Sequence, residues 1–480
     1  MEGDTKMKKP MVRFSKIFSS VLIGATLLLS ILGLFLINNT KGIALGIAAA
    51  ALLYVVLHLK ALQSRKLISG TACGAFLVLA VIAVLYMIIG TYTLYLITML
   101  GALILATVTA LVYLIGFMKK PVKNKKAKWI TTAVLAVLLV IGICGGAFLG
   151  AVAIDPNVLI GTMQRSYGAV NSYDAAREST TTDFINADGV KVGTYTNDIA
   201  YTAVLGGKQL ENSYLDVYLT NNNPENAPTY FYIHGGGYVW GDKIGGDPNT
   251  RDSGLTWYIA TFLENGYNVV SPNYVFAPEY LYPTSLLQLN ECVKYCMEHE
   301  DELGISMDRV VFGGGSAGGN LAGMLSLIYT NEKAANSLGA KQYLPAENVK
   351  ACVFASALIN NEDFGIAHSP VMDYMFFECG RSAMDCGFLQ GNRIAHQTNL
   401  IAQVDENYCP AYISDGNSGT FYSQAEAFHA RLDELGVTNQ LNLYPQSVEV
   451  LGHGYESTQD SPCAQENMEK VLKFLKESFQ

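Results

Sequence analysis

A chain of 480 residues, half hydrophobic and only 15% charged, has room for two to four domains and less charge than an ordinary soluble protein. Its formal charge of −9 is unevenly divided. Residues 1–154 carry 15 Lys and Arg against Glu2 and Asp4, whereas the remainder carries 17 basic and 39 acidic residues. That acidity speaks to solubility and disfavours nucleic acid as a partner.

The first 154 residues read as membrane. After a tail over 1–16, uncharged apolar runs fill 17–37, 42–57, 67–90, 91–118 and 130–154, and about 20 such residues cross a hydrocarbon core as a helix. The stretch 67–118 holds no charge and reads as two spans with a hairpin near Gly90. Five spans are expected, or four if the short second run is re-entrant. A cleaved signal peptide is an alternative for the first run. Basic residues cluster in the tail, in 60–66 and in 119–128. With five spans these fall on one face, the cytoplasmic one by the positive-inside bias, and residues 155–480 lie outside. The spans hold no ionisable group along their interiors, which argues for an anchor over an ion pathway. Gly142, Gly146 and Gly150, Gly42 and Gly46, and Gly70 and Gly74 repeat at four residues, a spacing that lets helices pack closely on themselves or on a partner.

Residues 155–199 are expected to form a linker or cap segment. From about residue 200 strand-like runs occur at 214–219, 229–234, 267–274, 309–314, 351–359, 411–414 and 440–445, with helical patterns between them at 255–266 and 423–436. Such alternation predicts an α/β domain over 200–480, with a mostly parallel sheet covered on both faces. Its site is expected at the carboxyl ends of the strands. Nine cysteines, two in the spans and seven beyond them, do not form a disulfide framework, although Cys379 and Cys386 are near enough in sequence to pair. No CxxC or His/Cys cluster points to a metal.

The segment "RVVFGGGSAGGNLAG" over 309–323 places Ser316 between a buried strand and a helix, with glycines two residues either side. That G-x-S-x-G arrangement suits a nucleophile on a sharp turn, and the Ala317 N–H opens the helix where an oxyanion would be stabilised. An ordinary strand–helix turn or a phosphate loop would share the pattern. Upstream, "YFYIHGGGYVWGD" over 230–242 ends a strand in His234 and three glycines. Gly235 and Gly236 can offer N–H groups to the same oxyanion, and His234 is expected to fix the loop. His453 lies in a glycine-flanked loop after the last strand, where a general base for Ser316 is expected.

These three motifs, with "NYVFAPEYLYP" over 273–283, resemble the hormone-sensitive-lipase-like esterase branch of the α/β-hydrolases. The resemblance covers about residues 200–480. It implies an α/β-hydrolase fold of about eight strands with a cap, here from 155–199 and an insertion at about 361–400. It also implies a serine esterase that works through an acyl-enzyme on Ser316 with no metal or organic cofactor. Two family residues are replaced: Gly315 stands where an Asp precedes the serine, and Val275 where an Arg follows the tyrosine. The usual acid position falls on Gly419. Asp415 is the first candidate for the triad acid, with Asn417 and Asp363 as alternatives, and turn capping is the plain role for Asp415. The expected activity is hydrolysis of carboxylic esters, short-chain acyl, acetyl, carbohydrate-linked or lipid. A membrane-tethered acyltransferase using the same serine, and a binding protein on a degenerate hydrolase fold, are the alternatives.

Overall fold

The computed structural model describes residues 21–29, 40–63, 67–89, 92–118, 125–167, 178–243, 255–386 and 393–479. The expected tail over 1–16 and most of the first apolar run lie outside the described residues. The chain divides into two compact units, one of residues up to Asp155 with Ser369–Tyr374, the other of Pro156–His368 with Met375–Gln480.

In the first unit, residues 21–29 are helical and four long helices follow: α1 (Thr40–Gln63), α2 (Leu67–Ile89), α3 (Tyr92–Met118) and α4 (Lys125–Ile154). Each coincides with one of the apolar runs. The apolar stretches whose side chains are described, Gly42–His58, Ala72–Ile88 and Ile97–Val112, are shorter than the helices that contain them, and within them no single helix is long and apolar enough to cross a membrane. Small residues mark the close contacts. A side chain at Gly142 would collide with Thr107 of α3, and one at Gly46 would press on Leu29 at 3.1 Å, whereas Gly150 and Gly74 face open space. Tyr54 of α1 packs on Phe76 of α2 with ring centres 4.2 Å apart.

The second unit opens with a short helix, α5 (Asn157–Tyr167), and is built on nine strands: β1 (Thr181–Ile185), β2 (Lys191–Ala200), β3 (Tyr214–Thr220), β4 (Thr229–Ile233), β5 (Asn268–Pro272), β6 (Val310–Gly315), β7 (Val349–Ala355), β8 (Ala411–Asp415) and β9 (Asn439–Leu443). Their order across the sheet is β1-β2-β3-β5-β4-β6-β7-β8-β9. The first three run antiparallel up to the β3–β5 pairing, and every pair from β5–β4 to β8–β9 is parallel. Parallel strands need crossovers, supplied here by α6 (Leu255–Glu264), α7 (Thr284–Glu298), α8 (Ala317–Thr330) and α9 (Tyr422–Leu435), while α10 (Pro462–Ser478) follows the last strand. The seven strands expected from sequence all form. The sheet, however, begins at Thr181 and not near residue 200, because the segment taken for linker and cap contributes the edge hairpin β1–β2. The strand count is accordingly nine where about eight were expected.

The central strands are buried on both faces, β5 and β8 throughout, as a parallel sheet between helices requires. Aromatic side chains fill the core, Tyr230 stacking on Phe262 with ring centres 4.1 Å apart. In the expected cap insertion a helix runs over Pro370–Met384 and a short one over Arg393–Gln397. All nine cysteines are free, Cys379 and Cys386 among them.

Candidate active site

Ser316 stands between β6 and α8 with φ 56° and ψ −126°, a region side chains occupy only when the surroundings enforce it. The enforcement is visible in its neighbours. A methyl group at Gly318 would overlap the carbonyl oxygens of Ile233 and His234, so the helix can approach β4 only with a bare backbone there. The Ser316 N–H donates to Ala355 O at 3.1 Å, and its carbonyl accepts from Leu358 N–H at 3.0 Å. The turn is thus fixed from β7 as well.

The loop after β4 lies against this turn. A Cβ at Gly235 would be 2.9 Å from Gly315 O and 3.1 Å from Ser316 Cβ, and Gly236 has φ +107° with no space for a side chain beside Trp240 O. His234 is fully buried, stacked on Tyr274 with ring centres 4.2 Å apart, and its Nδ1 meets Gly235 O at 2.7 Å. Tyr274 Oη donates to His234 O at 2.9 Å and Gly235 O at 3.0 Å. Because a trans peptide sets C=O and N–H on opposite sides, anchoring Gly235 O aims the Gly236 N–H the other way. Burial pushes His234 down to about 4, so it stays neutral and serves as a brace for the loop.

His453 lines the same cavity as Ser316, together with Gly235, Gly236, Met163, Trp240, Phe376 and Cys379; the space measures about 270 Å³. The imidazole is wedged between Phe376 and Phe421, at 4.9 and 5.5 Å between ring centres. One edge stays open to the cavity and the rest is enclosed, and that burial lowers its pKa to about 4. Neutral imidazole is the form a general base requires. No hydrogen bond joins Ser316 Oγ to His453 among the described residues, and in unliganded sites such bonds are often long.

The first candidate for the acid is not placed as in a direct triad. Asp415 ends β8, fully buried, and no hydrogen bond joins it to His453 among the described residues. Its Oδ1 accepts from the Gly416 N–H at 2.7 Å and from the Thr420 hydroxyl. Thr420 Oγ1 in turn lies 3.0 Å from His453 Nδ1. Burial, and then the Glu456 carboxylate, push Asp415 well above the usual carboxylate range. Glu456, also buried, is raised to about 7 by burial and accepts from Ser356 N–H, Ser356 Oγ and Ser414 Oγ at 2.8–3.0 Å. The two alternatives for the acid are committed elsewhere. Asn417 Nδ2 donates to Tyr444 O and Glu449 O, and its Oδ1 accepts from Leu451 N–H. Asp363 Oδ2 accepts from Asn360 at 3.1 Å. Thr420 and Glu456 were missed in sequence. A hydroxyl residue next to the vacant acid position at Gly419, and a carboxylate three residues beyond the base, were the available signals.

Of the two replaced family residues, Gly315 leaves only an ordinary contact, 3.5 Å from Ala355 O for a Cβ. Val275 is buried with its N–H on Gln288 Oε1 at 2.7 Å. From the amino-terminal side, Met163 of α5 reaches the cavity while Gln164 donates to Val239 O and Ala277 O at 2.7 and 2.8 Å. Part of the expected cap segment is therefore at the site, and its described residues from Thr181 on join the sheet.

The fold of the second unit is matched in solved structures. Esterase B from Lactobacillus Rhamnosis (HN001) superposes with a TM-score of 0.50 at 18% identity, over 69% of this chain and 95% of that one. The chain has an α/β-hydrolase fold. Within it, residues 215–432 match the BD-FAE family. An AB hydrolase superfamily protein of Schizosaccharomyces pombe is 25% identical over 242 residues, 45% of this chain and 61% of that protein. Ethyl acetate hydrolase of Pseudomonas putida is 24% identical over 223 residues, 45% of this chain and 63% of that protein. The chain thus spans about three fifths of the length of these curated relatives, and it carries a further helical unit before its sheet.

Proposed function

We propose that this α/β-hydrolase is a serine hydrolase of carboxylic esters, anchored in a membrane, with its second unit outside the cytoplasm. The observation that carries the reading is that Ser316 and His453 line one cavity whose wall includes Gly235 and Gly236. Ser316 Oγ attacks the ester carbonyl while His453 Nε2 takes its proton. The carbonyl oxygen becomes an oxyanion facing the N–H groups of Gly235, Gly236 and Ala317. His453 then returns the proton to the departing alcohol, leaving an acyl-enzyme. It next takes a proton from water, whose attack releases the acid and frees the serine. Asp415 is the acid behind the base.

The named relatives include an ethyl acetate hydrolase and acetyl esterases of Salmonella, which supports esters of short acids as the substrates. A cavity of about 270 Å³ is small for a ligand site and agrees with an acyl group of a few carbons. Met163 of α5 and, from the insertion, Phe376 and Cys379 act as the cap side of the cavity. The anchoring reading rests on α1–α4, which run 23 to 30 residues each and carry exposed Val56, Val78, Ile104 and Val140. A bilayer would cover such side chains.

The test is hydrolysis of p-nitrophenyl acetate and butyrate by the full-length chain in detergent, beside Ser316→Ala and Asp415→Asn. Turnover is expected that Ser316→Ala abolishes and Asp415→Asn lowers by about 10²-fold or more. Turnover that survives Ser316→Ala would refute the reading.

A further inference from the structure

We propose that Thr420 is the positioning residue of this site, relaying Asp415 to His453 through its hydroxyl, so that the hydrolytic machinery runs in series from Ser316 through His453 and Thr420 to Asp415. The proposal rests on the esterase reading and adds a fourth member that no direct triad has.

The direction of each hydrogen bond follows from what each atom can give. A threonine hydroxyl has one proton and two lone pairs. Asp415 Oδ1 already accepts the Gly416 N–H, so toward Thr420 it acts as an acceptor again and takes the single hydroxyl proton. Thr420 Oγ1 can then only accept from His453 Nδ1, 3.0 Å away. The proton of the neutral imidazole is thereby held on Nδ1, and the lone pair is left on Nε2, the nitrogen needed to deprotonate Ser316. In this arrangement Asp415 acts as the ionised carboxylate, with Oδ1 accepting from both the Gly416 N–H and the Thr420 hydroxyl. Glu456 and Tyr455 are the other titratable groups facing Asp415, while Phe376 and Phe421 flank the imidazole.

Replacing the hydroxyl by a methyl keeps the shape and removes the acceptor. The Nδ1–H then has no partner in an enclosed pocket, and the tautomer with its proton on Nε2, useless as a base, becomes the better one. A relay also predicts non-additivity: once Thr420 is gone, Asp415 has no route to the base, so its loss adds little.

The experiment measures kcat and KM of the full-length chain in detergent on p-nitrophenyl butyrate from pH 5 to 10, for Thr420→Val, Thr420→Ser, Asp415→Asn and Thr420→Val/Asp415→Asn. Thr420→Val is expected to lower kcat by about 10²–10³-fold with KM nearly constant, its residual rate climbing with pH as hydroxide replaces the misaligned base. Thr420→Ser is expected to restore most of the loss, and the double variant to fall within about threefold of Thr420→Val. Wild-type kcat in Thr420→Val, no restoration by serine, or losses that multiply in the double variant would overturn the relay and leave the esterase reading intact. Full turnover in Ser316→Ala, run alongside, would instead remove the esterase reading itself.

Discussion

Asp415 and Glu456 place two carboxyl groups in the interior with no ion pair to either among the described residues. Like charges so placed cannot both ionise without large cost. Glu456 is raised to about 7, so the folded chain holds a proton there that the unfolded chain, near the ordinary value of about 4.5, has released. The stability this contributes is complete below about pH 4.5 and is lost as pH rises through 7. His453, lowered to about 4, acts in the opposite sense, losing stability as pH falls below its ordinary value of about 6.5. Comparing variants removes that contribution, since His453 is common to both. Glu456→Gln, which imitates the protonated acid, should lose less thermal stability between pH 5 and pH 8 than the parent; thermal unfolding at the two pH values measures it, and equal losses would count against the account. At this scale the turn that holds Ser316, the loop that holds His453 and the strand end at Asp415 could be read from sequence because glycines and strand ends mark them. Thr420 was marked only by standing next to the vacant acid position at Gly419, since its part depends on where the ring of His453 lands.

Among the elements, the loop after β4 depends on a buried cation. Lys243 is almost fully enclosed and meets Asp198 at 2.8 Å, Asp216 at 3.4 Å and Asp242 at 3.7 Å, drawing β2, β3 and the loop together. Its N–H donates to Asn273 Oδ1 at 2.7 Å, and its carbonyl accepts from Ser271 Oγ at 2.6 Å, so β5 is tied in as well. Burial raises Asp216 to about 6 even with the ammonium beside it. Lys243→Met would leave three carboxylates without that charge, a loss of about 3–5 kcal/mol. Thermal inactivation of the full-length variant should come several degrees earlier, and an unchanged midpoint would show that the carboxylates find other compensation. The strands of the central sheet were legible because burial on both faces writes them as apolar runs. The hairpin β1–β2 was not, because β1 is almost wholly exposed along "TTDFI" and reads as a polar linker. Its one clear signal was the Asp188-Gly189 turn, with Gly189 at φ +77°.

Over the whole molecule, the break in charge near residue 154 coincides with the boundary between the two units at Asp155, which makes the division the most legible feature of the chain. On the proposed anchoring, the full chain should stay in the pellet after alkaline carbonate extraction of membranes. Added protease on sealed cells should reach residues 155–480. Release into the carbonate supernatant would reject the anchor, and protection from protease would reverse its orientation.

Eight of the nine thiols are buried and the ninth, Cys144, lies in α4. No covalent cross-link has to be made for either unit to reach its final form. A non-thiol reductant therefore breaks no bond of this structure and leaves the p-nitrophenyl esters of the proposed assays without a competing thiol.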